Sequence, residues 1–326
     1  MSEARQIIAT KPGGIEVLAQ RTLSLSEPAA GELRIRHTAI GVNFIDVYFR
    51  SGLYPWPVDK DLVLGSEAAG VVDAVGSGVD GFKKGDRVVY TVANGAYATH
   101  RNLDATQVVA LPGEIDDETA AASMLKGLTA AYLLNHSYVA KAGDSVLFHA
   151  AAGGVGSIAG QWLKLKGVTT IGTAGGTEKC QLAAGNGYDH VIDYRSEDFV
   201  SRVNDITQGA GVDAVYDSVG NDTVAGSLAC LKRFGTLVCF GQSSGPATEF
   251  KIADLAAGSL RLTRPVLFHY TANREWLESS ATELFALIAQ GQLNVAVNQR
   301  FSLDAVSDAH SALESRKTTG CTVLTV

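Results

Sequence analysis

The sequence predicts an α/β fold with two domains, one mostly β and one built on a doubly wound parallel sheet. Two observations lead to this prediction. Short β-like runs separated by glycine turns, such as LRIRHTAIGV and DRVVYTV, fill residues 1–125. From about Ser145, apolar strand-like runs alternate with helical stretches, which is the pattern of a parallel sheet covered on both faces. The length of 326 residues also suits two domains better than one core.

Each element follows from a local pattern. The first long helical period begins near Asp116, in DETAAASMLKGLTAAYLL. The strands of the parallel sheet read SVLFHA, TTIGTA, HVIDY, DAVYDSV and TLVCFG, with a helix after each of the first four. A long helical stretch, REWLESSATELFALIAQGQL, then precedes two β-like segments that flank a last helix. We expect this last part to rejoin the front domain, so that the first domain comprises residues 1–125 and 268–326 and the second comprises residues 126–267.

Composition restricts the partners of the protein. The chain carries a net charge of −7 and has no block of Lys and Arg, so nucleic acid and anionic lipid are poor candidate partners. No apolar run reaches membrane-spanning length, and the N-terminus lacks an apolar signal core. The four cysteines lie far apart, as in a protein that keeps its thiols reduced. We therefore expect a cytoplasmic protein with no membrane or nucleic-acid partner.

The segment FHAAAGGVGSIAGQWLKLKG has the pattern of a phosphate-binding turn that opens a helix. The dinucleotide fingerprint of a Rossmann domain is G-x-G-x-x-G, and here Ala151 takes the first position, which it can do if its φ stays negative. Gly153 would allow close approach of a pyrophosphate, and Gly156 would allow the helix to pack on the strand. Gly154 and Val155 lie at the helix N-terminus, whose N–H groups attract phosphate. The alternative is a tight strand–turn–helix that binds nothing, but the alternating elements around it favour a cofactor.

The end of the next strand indicates which dinucleotide binds. NAD sites place an acidic residue there for the ribose hydroxyls, whereas this chain has the small residues Gly175 and Gly176. Lys179 follows and can pair with a 2′-phosphate, and Tyr194 can pack on the adenosine end. Glu178 argues weakly against a phosphate site, and both charged residues could simply form a solvated helical turn. The sequence favours NADPH over NADH.

Several segments together resemble one known family. AAAGGVGSIAGQ, VYDSVG, FGQSSG, GVNFIDVYFRSGLYP and GSEAAGVV resemble the quinone oxidoreductases, the ζ-crystallin-like, zinc-independent branch of the medium-chain dehydrogenase/reductase superfamily. The resemblance implies a GroES-like β domain interrupted by a Rossmann domain. It also implies an enzyme that reduces quinones with NADPH in the cleft between the domains. Bacterial members are commonly homodimers paired through their cofactor domains, so the resemblance also implies a homodimer.

The chain departs from the zinc-dependent members of that superfamily at the metal ligands. Those enzymes have a Cys in the segment that here reads AIGVNFID, where Val42 or Asn43 stands. They have a His-Glu pair where this chain has Ser66 and Glu67. Zinc needs about three or four N, S or O ligands, so we expect no metal site. Without a metal to polarise a carbonyl group, an electrophilic quinone is a better substrate than a plain ketone.

The segment GVNFIDVYFRSGLY holds four candidate catalytic residues. The resemblance implies that this segment borders the nicotinamide and the substrate. Asn43 can donate an amide N–H to a substrate oxygen or to the cofactor ribose. Tyr48 or Tyr54 can donate to a developing oxyanion or stack on a flat ring, and Asp46 can orient one of them. The alternative is a local role, with Asn43 and Asp46 as turn residues and the tyrosines as packing.

Residues after two later strands are candidates for the cofactor site, because ligands of open α/β sheets bind beyond the carboxyl ends of the strands. Backbone groups of Phe240 and Gly241 can hold the carboxamide, with Ser243 nearby. Ser218 ends the preceding strand and borders the same crevice.

Four further side chains complete the candidate site. Lys126 and Thr129 lie near the domain junction, and the resemblance places Thr129 near the nicotinamide phosphate. Arg264 would line the cleft as a candidate catalytic residue, and Arg316 could reach the adenosine phosphate. The alternatives are a helix hydroxyl bonded to its own backbone for Thr129 and surface ion pairs for the arginines.

Three functions are compatible with these features. The first is NADPH-dependent reduction of quinones. The second is NADPH-dependent reduction of activated C=C bonds, as in enals and enones, which would use the same donor. The third is a non-enzymatic role as an RNA-binding or structural NADPH-binding protein, against which the acidic net charge argues.

Overall fold

The computed structural model describes residues 2–326, and the chain forms two compact units. One unit contains the chain up to Leu128 together with Phe268–Val326, and the other contains Thr129–Leu267. Among the helices of the described residues, none combines the length and apolar character needed to cross a membrane.

The front part of the first unit is mostly β, as its sequence predicts. Its strands are β1 (Ser2–Ala9), β2 (Leu18–Leu25), β3 (Glu32–Val42), β4 (Leu62–Val63), β5 (Glu67–Val75), β6 (Arg87–Thr91), β7 (His100–Asp104) and β8 (Val108–Ala110). Its helices are α1 (Phe44–Ser51) and α2 (Asp117–Tyr132). A single π-helical turn, Leu133–Ser137, follows α2 in the second unit.

Helix α1 is an element that the sequence pattern did not indicate. Its N-cap is Asn43, and the carboxylate of Asp46 accepts a hydrogen bond from the Asn43 backbone N–H at 2.9 Å. The helix ends at Gly52, whose φ of 80° is left-handed. Eight residues are too few to reveal a helical period among β-rich neighbours.

The second unit is built on a parallel sheet, which confirms the predicted α/β class. Its elements are β9 (Ser145–Phe148), α3 (Gly154–Leu165), β10 (Thr169–Ala174), α4 (Thr177–Gly185), β11 (His190–Asp193), α5 (Phe199–Ile206), β12 (Val212–Asp217), α6 (Val224–Ala229), β13 (Leu231–Cys239) and β14 (Arg261–Thr263). The strand order is β11-β10-β9-β12-β13-β14, with every neighbouring pair parallel. This is the doubly wound order of a dinucleotide-binding sheet, whose ligand crevice lies where the order reverses, between β9 and β12.

The last part of the chain returns to the first sheet. Its elements are α7 (Leu267–Thr271), α8 (Arg274–Ala289), β15 (Val297–Ser302), α9 (Val306–Glu314) and β16 (Cys321–Thr325). Strand β16 pairs antiparallel with β3, and β15 pairs parallel with β16 at the end of a seven-stranded sheet. Leu303 and Leu324 accordingly lie in the same buried cluster as Ile7, Leu33 and Ile40.

Candidate functional site

The first unit contains a fully buried carboxylate, Glu67, at the start of β5. It accepts hydrogen bonds from the Asn43 amide at 2.8 Å, the Leu125 backbone N–H at 2.6 Å and the Lys126 ammonium at 2.7 Å. Burial alone would lower the pKa of Lys126, but the neighbouring Glu67 carboxylate outweighs it and raises the pKa. Lys126 is therefore a charged, buried partner of Glu67, and Asn43 is bound to the same carboxylate.

A second carboxyl group, Asp46, lies beside the first and is also fully buried. Its Oδ2 accepts from the Asn43 backbone N–H and from the Tyr97 hydroxyl, both at 2.9 Å. Its Oδ1 lies 2.7 Å from the Ser66 hydroxyl. Burial raises the pKa of Asp46 to about 6, even though these three donors lower it. Asn43 thus links the two carboxyl groups, through its backbone to Asp46 and through its side chain to Glu67.

Hydrogen bonds continue from Asp46 toward the surface. The Tyr97 oxygen lies 3.0 Å from His310 Nε2, and His310 Nδ1 lies 3.1 Å from the Arg50 guanidinium. Arg50 is buried and binds the half-exposed Glu314 carboxylate through two hydrogen bonds of 2.8 and 2.7 Å. Burial, with a smaller contribution from Arg50, lowers the pKa of His310 to about 3, so this imidazole is neutral.

The two candidate tyrosines of α1 and its following turn pack against each other. Their ring centroids lie 5.2 Å apart, and the Tyr54 backbone N–H donates to the Tyr48 carbonyl oxygen at 3.1 Å. Phe49 meets Tyr54 edge-on at 5.6 Å. Tyr48 is buried and Tyr54 is partly exposed, so Tyr54 is the more accessible of the two residues. The tyrosine bound to Asp46 is Tyr97, which lies outside the segment of the four candidate catalytic residues.

In the second unit, the glycine turn brings the start of helix α3 close to the end of strand β9. The left-handed φ of the turn falls on Ala150, at 57°, and not on Ala151. A Cβ at Gly156 would press against the Ala150 carbonyl oxygen and lie 2.8 Å from Ala151 Cα, so only glycine allows this approach. Helix α3 begins after Gly153, and in the part of the chain that is described no side chain caps its first turn. Its N–H groups are therefore suited to a phosphate.

The tip of β10 also needs its two glycines. A Cβ at Gly175 would lie 2.7 Å from Tyr194 Cζ, and Gly176 adopts a left-handed φ of 91°. The Asp193 carboxylate accepts from the backbone N–H groups of Gly176 and Arg195, which holds this tip against the end of β11. The Arg195 guanidinium lies 3.2 Å from the position of a Gly176 Cβ. Arg195 therefore adds a positive charge at this tip, which the local sequence pattern does not indicate.

Backbone hydrogen bonds join the segments that follow strands β12 and β13. The Phe240 N–H donates to the Asp217 carbonyl oxygen at 2.8 Å, and the Ser243 N–H donates to the Ser218 carbonyl oxygen at 3.1 Å. A Cβ at Gly241 would lie 3.0 Å from Ser218 Cα. Arg264 donates from its guanidinium to the Cys239 carbonyl oxygen at 3.3 Å. The four residues predicted at these strand ends, and Arg264 with them, are therefore neighbours.

The remaining candidates are placed as follows. Lys179 is half-buried in the first turn of α4, and Thr129 is buried on α2. Arg316 is exposed after α9, in the first unit, with a left-handed φ of 57°. Over residues 2–326, no three His, Cys, Asp or Glu side chains come together as metal ligands.

The fold and these turns define a class of protein. Residues 29–142 match the alcohol dehydrogenase GroES-like domain, and residues 186–324 match the zinc-binding dehydrogenase family. These matches, with the parallel sheet and its glycine turn, are those of a medium-chain dehydrogenase/reductase.

Individual relatives indicate which family of this superfamily the chain belongs to. The chain is 49% identical to the quinone oxidoreductase of Salmonella typhimurium, over 98% of this chain and 99% of that protein. It superposes on the structure of Escherichia coli quinone oxidoreductase complexed with NADPH with a TM-score of 0.96 at 48% identity, covering 99% of this chain and 100% of that one. It is also 41% identical to a 2-haloacrylate reductase of Burkholderia sp, over 96% of each chain. The chain belongs to the quinone oxidoreductase family.

Proposed function

We propose that the protein is an NADPH-dependent quinone reductase. The observation that carries this proposal is the near-complete match, in sequence and in fold, to a quinone oxidoreductase whose structure holds NADPH. The glycine turn at α3 and the tip of β10 support it, because both have backbone shapes that leave room for a dinucleotide.

NADPH fits the second unit in particular. Gly156 and the N-terminus of α3 would receive the pyrophosphate, and Gly176 with Lys179, Tyr194 and Arg195 would receive the 2′-phosphate end. When bound, NADPH supplies a hydride. The further residues that we assign to the cofactor are Asn43, Lys126, Thr129, Gly153, Gly154, Val155, Gly175, Ser218, Phe240, Gly241, Ser243 and Arg316.

Substrate orientation is assigned to the first unit and to Arg264. One N–H of the Asn43 amide binds Glu67, and we assign the other to a quinone oxygen. Tyr54 is the partly exposed tyrosine beside the buried Tyr48, so we assign its hydroxyl to a developing oxyanion. The Glu67–Lys126 pair holds Asn43 in place.

A second candidate function is reduction of activated C=C bonds. The observation that favours it is the 41% identity with a 2-haloacrylate reductase over nearly the whole chain. An RNA-binding role has less support, because the net charge of −7 opposes binding to a phosphate backbone.

We further propose a cytoplasmic homodimer that does not bind nucleic acid. The four cysteines are free thiols, which fits a reducing compartment. Strand β14 is an edge of the parallel sheet, and the nearby Ile252 side chain is 82% exposed, which fits pairing through the second unit.

The function is tested by following NADPH oxidation with 1,4-benzoquinone and with an alkenal, each repeated with NADH. We expect the quinone to be reduced at least tenfold faster than the alkenal. We also expect NADPH to be preferred over NADH by at least tenfold in KM, or about 1.4 kcal/mol. Faster turnover of the alkenal would favour the second function, and no oxidation with either acceptor would reject both.

A further inference from the structure

The hydrogen bonds around Asp46 allow its protons to be counted. The Ser66 hydroxyl lies 2.7 Å from Asp46 Oδ1 and 3.0 Å from the Ala93 carbonyl oxygen. A hydroxyl has one proton, so it can donate to only one of these acceptors. With Asp46 ionised, two acceptors compete for the single Ser66 proton. With Oδ1 protonated, Asp46 donates to Ser66 and Ser66 donates to Ala93, and every oxygen is satisfied.

The other side of the carboxyl group fixes which oxygen carries the proton. Arg50 can only donate, so His310 Nδ1 must accept from it and the ring proton lies on Nε2. That N–H donates to the Tyr97 oxygen, which leaves the Tyr97 hydroxyl proton to donate to Asp46 Oδ2. The Asn43 backbone N–H also donates to Oδ2. Because Oδ2 already has two donors, an added proton belongs on Oδ1, facing Ser66.

Of the charges that face Asp46, the Glu67 carboxylate favours the protonated form, while the Lys126 ammonium favours the ionised form. Glu67 on β5 is a second buried carboxylate and disfavours a further negative charge. Lys126 on α2 is bound to Glu67, and Arg50 is bound to the Glu314 carboxylate and to the neutral His310. Burial, aided by Glu67, raises the pKa of Asp46 to about 6.

We propose that Asp46 stores, as a carboxylic acid, the proton that completes quinone reduction, and that the Ser66 hydroxyl hands it to the substrate. This inference rests on the proposed function. Conversion of a quinone to a hydroquinone needs two electrons and two hydrogens. A bound NADPH would supply both electrons and one hydrogen as a hydride, so one proton must still reach the remaining oxygen.

The transfer balances within the described groups. The Ser66 hydroxyl proton goes to the quinone oxygen, the Asp46 Oδ1 proton replaces it, and the resulting Asp46 carboxylate regains a proton from solvent after the product leaves. Asn43 connects this pair to the substrate, because its backbone binds Asp46 while its side chain is assigned to a quinone oxygen. Tyr97 and His310 are positioning residues, since they only determine which Asp46 oxygen is protonated.

The variant Asp46→Asn separates proton storage from folding. Its amide can accept from Asn43 and Tyr97 and donate to Ser66, as the neutral acid does, but it has no proton to transfer. We expect an unchanged Kd for NADPH and a loss of quinone reduction of about 10²-fold, which is the size of a general-acid effect. Ser66→Ala should lose activity to a similar extent. Asp198→Asn, at the exposed N-cap of α5, is the matched control and should keep full activity.

An infrared measurement tests the protonation state without turnover. We expect the native spectrum minus that of Asp46→Asn to show the carbonyl stretch of a protonated carboxylic acid at pH 5 and to lose this band by pH 8; the subtraction removes the contribution of ordinary carboxyl groups, which are partly protonated at pH 5. Tyr97→Phe removes a donor that stabilises the carboxylate, so the band should persist to higher pH. Absence of the band in the native protein would overturn the inference, as would an Asp46→Asn activity within twofold of native. If the native protein binds NADPH, shows the band and reduces no quinone, the proposed function fails and the proton-transfer step fails with it.

Discussion

The buried carboxyl group of Asp46 makes the stability of the protein depend on pH. Its pKa is raised from 3.8 to about 6, so the folded protein binds this proton more tightly than the unfolded chain does. The stability that the proton contributes is complete below about pH 4 and is lost as the pH rises to about 6. This difference in pKa between the unfolded and folded states corresponds to about 3 kcal/mol.

Asp46→Asn should therefore gain stability relative to the native protein as the pH rises. The variant does not titrate, so its free energy of unfolding should improve on that of native by up to about 3 kcal/mol between pH 4 and 7. Urea unfolding of both proteins across this range measures the difference. Asp198→Asn is a control in which stability should change in the opposite direction. Hydrogen bonds from Ser201 lower the pKa of Asp198, so this variant should lose stability relative to the native protein as the pH rises. A difference between Asp46→Asn and native that does not vary with pH would contradict the raised pKa.

Only some of the residues around the Asp46 carboxyl group can be predicted from the sequence. Asn43 and Asp46 lie in one short motif, and their polar side chains mark both as candidate site residues. Tyr97 and His310 are 51 and 264 positions away from Asp46, and no local pattern connects them to it. Glu67 is an acidic residue at the start of an apolar strand, and this position only weakly indicates a buried carboxylate. Long-range partners of a buried charge follow from strand pairing and helix packing, which sequence periodicity does not determine.

At the scale of an element, the strand–turn–helix from β9 to α3 depends on the close approach of Gly156 to the backbone of Ala150 and Ala151. A Cβ at Gly156 would meet backbone atoms of Ala150 and Ala151, which cannot move away without opening the turn. We expect Gly156→Ala to lower the free energy of unfolding by about 1–3 kcal/mol, as overpacking does, and to weaken NADPH binding. Chemical denaturation and a fluorescence titration with NADPH measure the two effects.

Gly185, in the last turn of α4, is the matched control. A Cβ there would meet nothing within 4 Å. Gly185→Ala should leave NADPH binding unchanged and raise stability by up to about 1 kcal/mol, because alanine is the better helix former. Equal effects of the two substitutions would show that the close approach at Gly156 does not matter.

Elements were more predictable from the sequence than the details of their turns. Strand β10 occupies Thr169–Ala174, the segment TTIGTA that its apolar pattern indicates. The alternation of strands and helices correctly predicted the parallel sheet, because each buried strand is a continuous apolar run. The left-handed residue Ala150 was not foreseen, since alanine rarely adopts a positive φ and nothing in its neighbours marks it.

At the scale of the whole molecule, the exposed edge of the parallel sheet bears on assembly. Strand β14 is the last strand of the sheet, and an edge strand presents unpaired backbone groups to any partner. Phe234 and Ile252 are 62% and 82% exposed in the segments that precede it. The Phe234 backbone is held in place, since its N–H donates to the Gly258 carbonyl oxygen and its carbonyl oxygen accepts from Arg261. An ordered edge with exposed apolar side chains is what a second copy of the chain would cover.

We therefore expect the native protein to be a dimer of 34.2 kDa chains in light scattering, and the double variant Phe234→Asn with Ile252→Lys to be a monomer. Asparagine tolerates the left-handed φ of 65° at position 234, so the substitution removes apolar surface without straining the backbone. Val139→Lys, at another side chain with 61% exposure, tests whether any added charge has the same effect and should remain dimeric.

A double variant that stays dimeric would place the interface elsewhere. A native protein that is monomeric at micromolar concentration would remove the homodimer from the proposed function, while the sites for NADPH and for the Asp46 proton, each assigned within a single chain, would be unaffected.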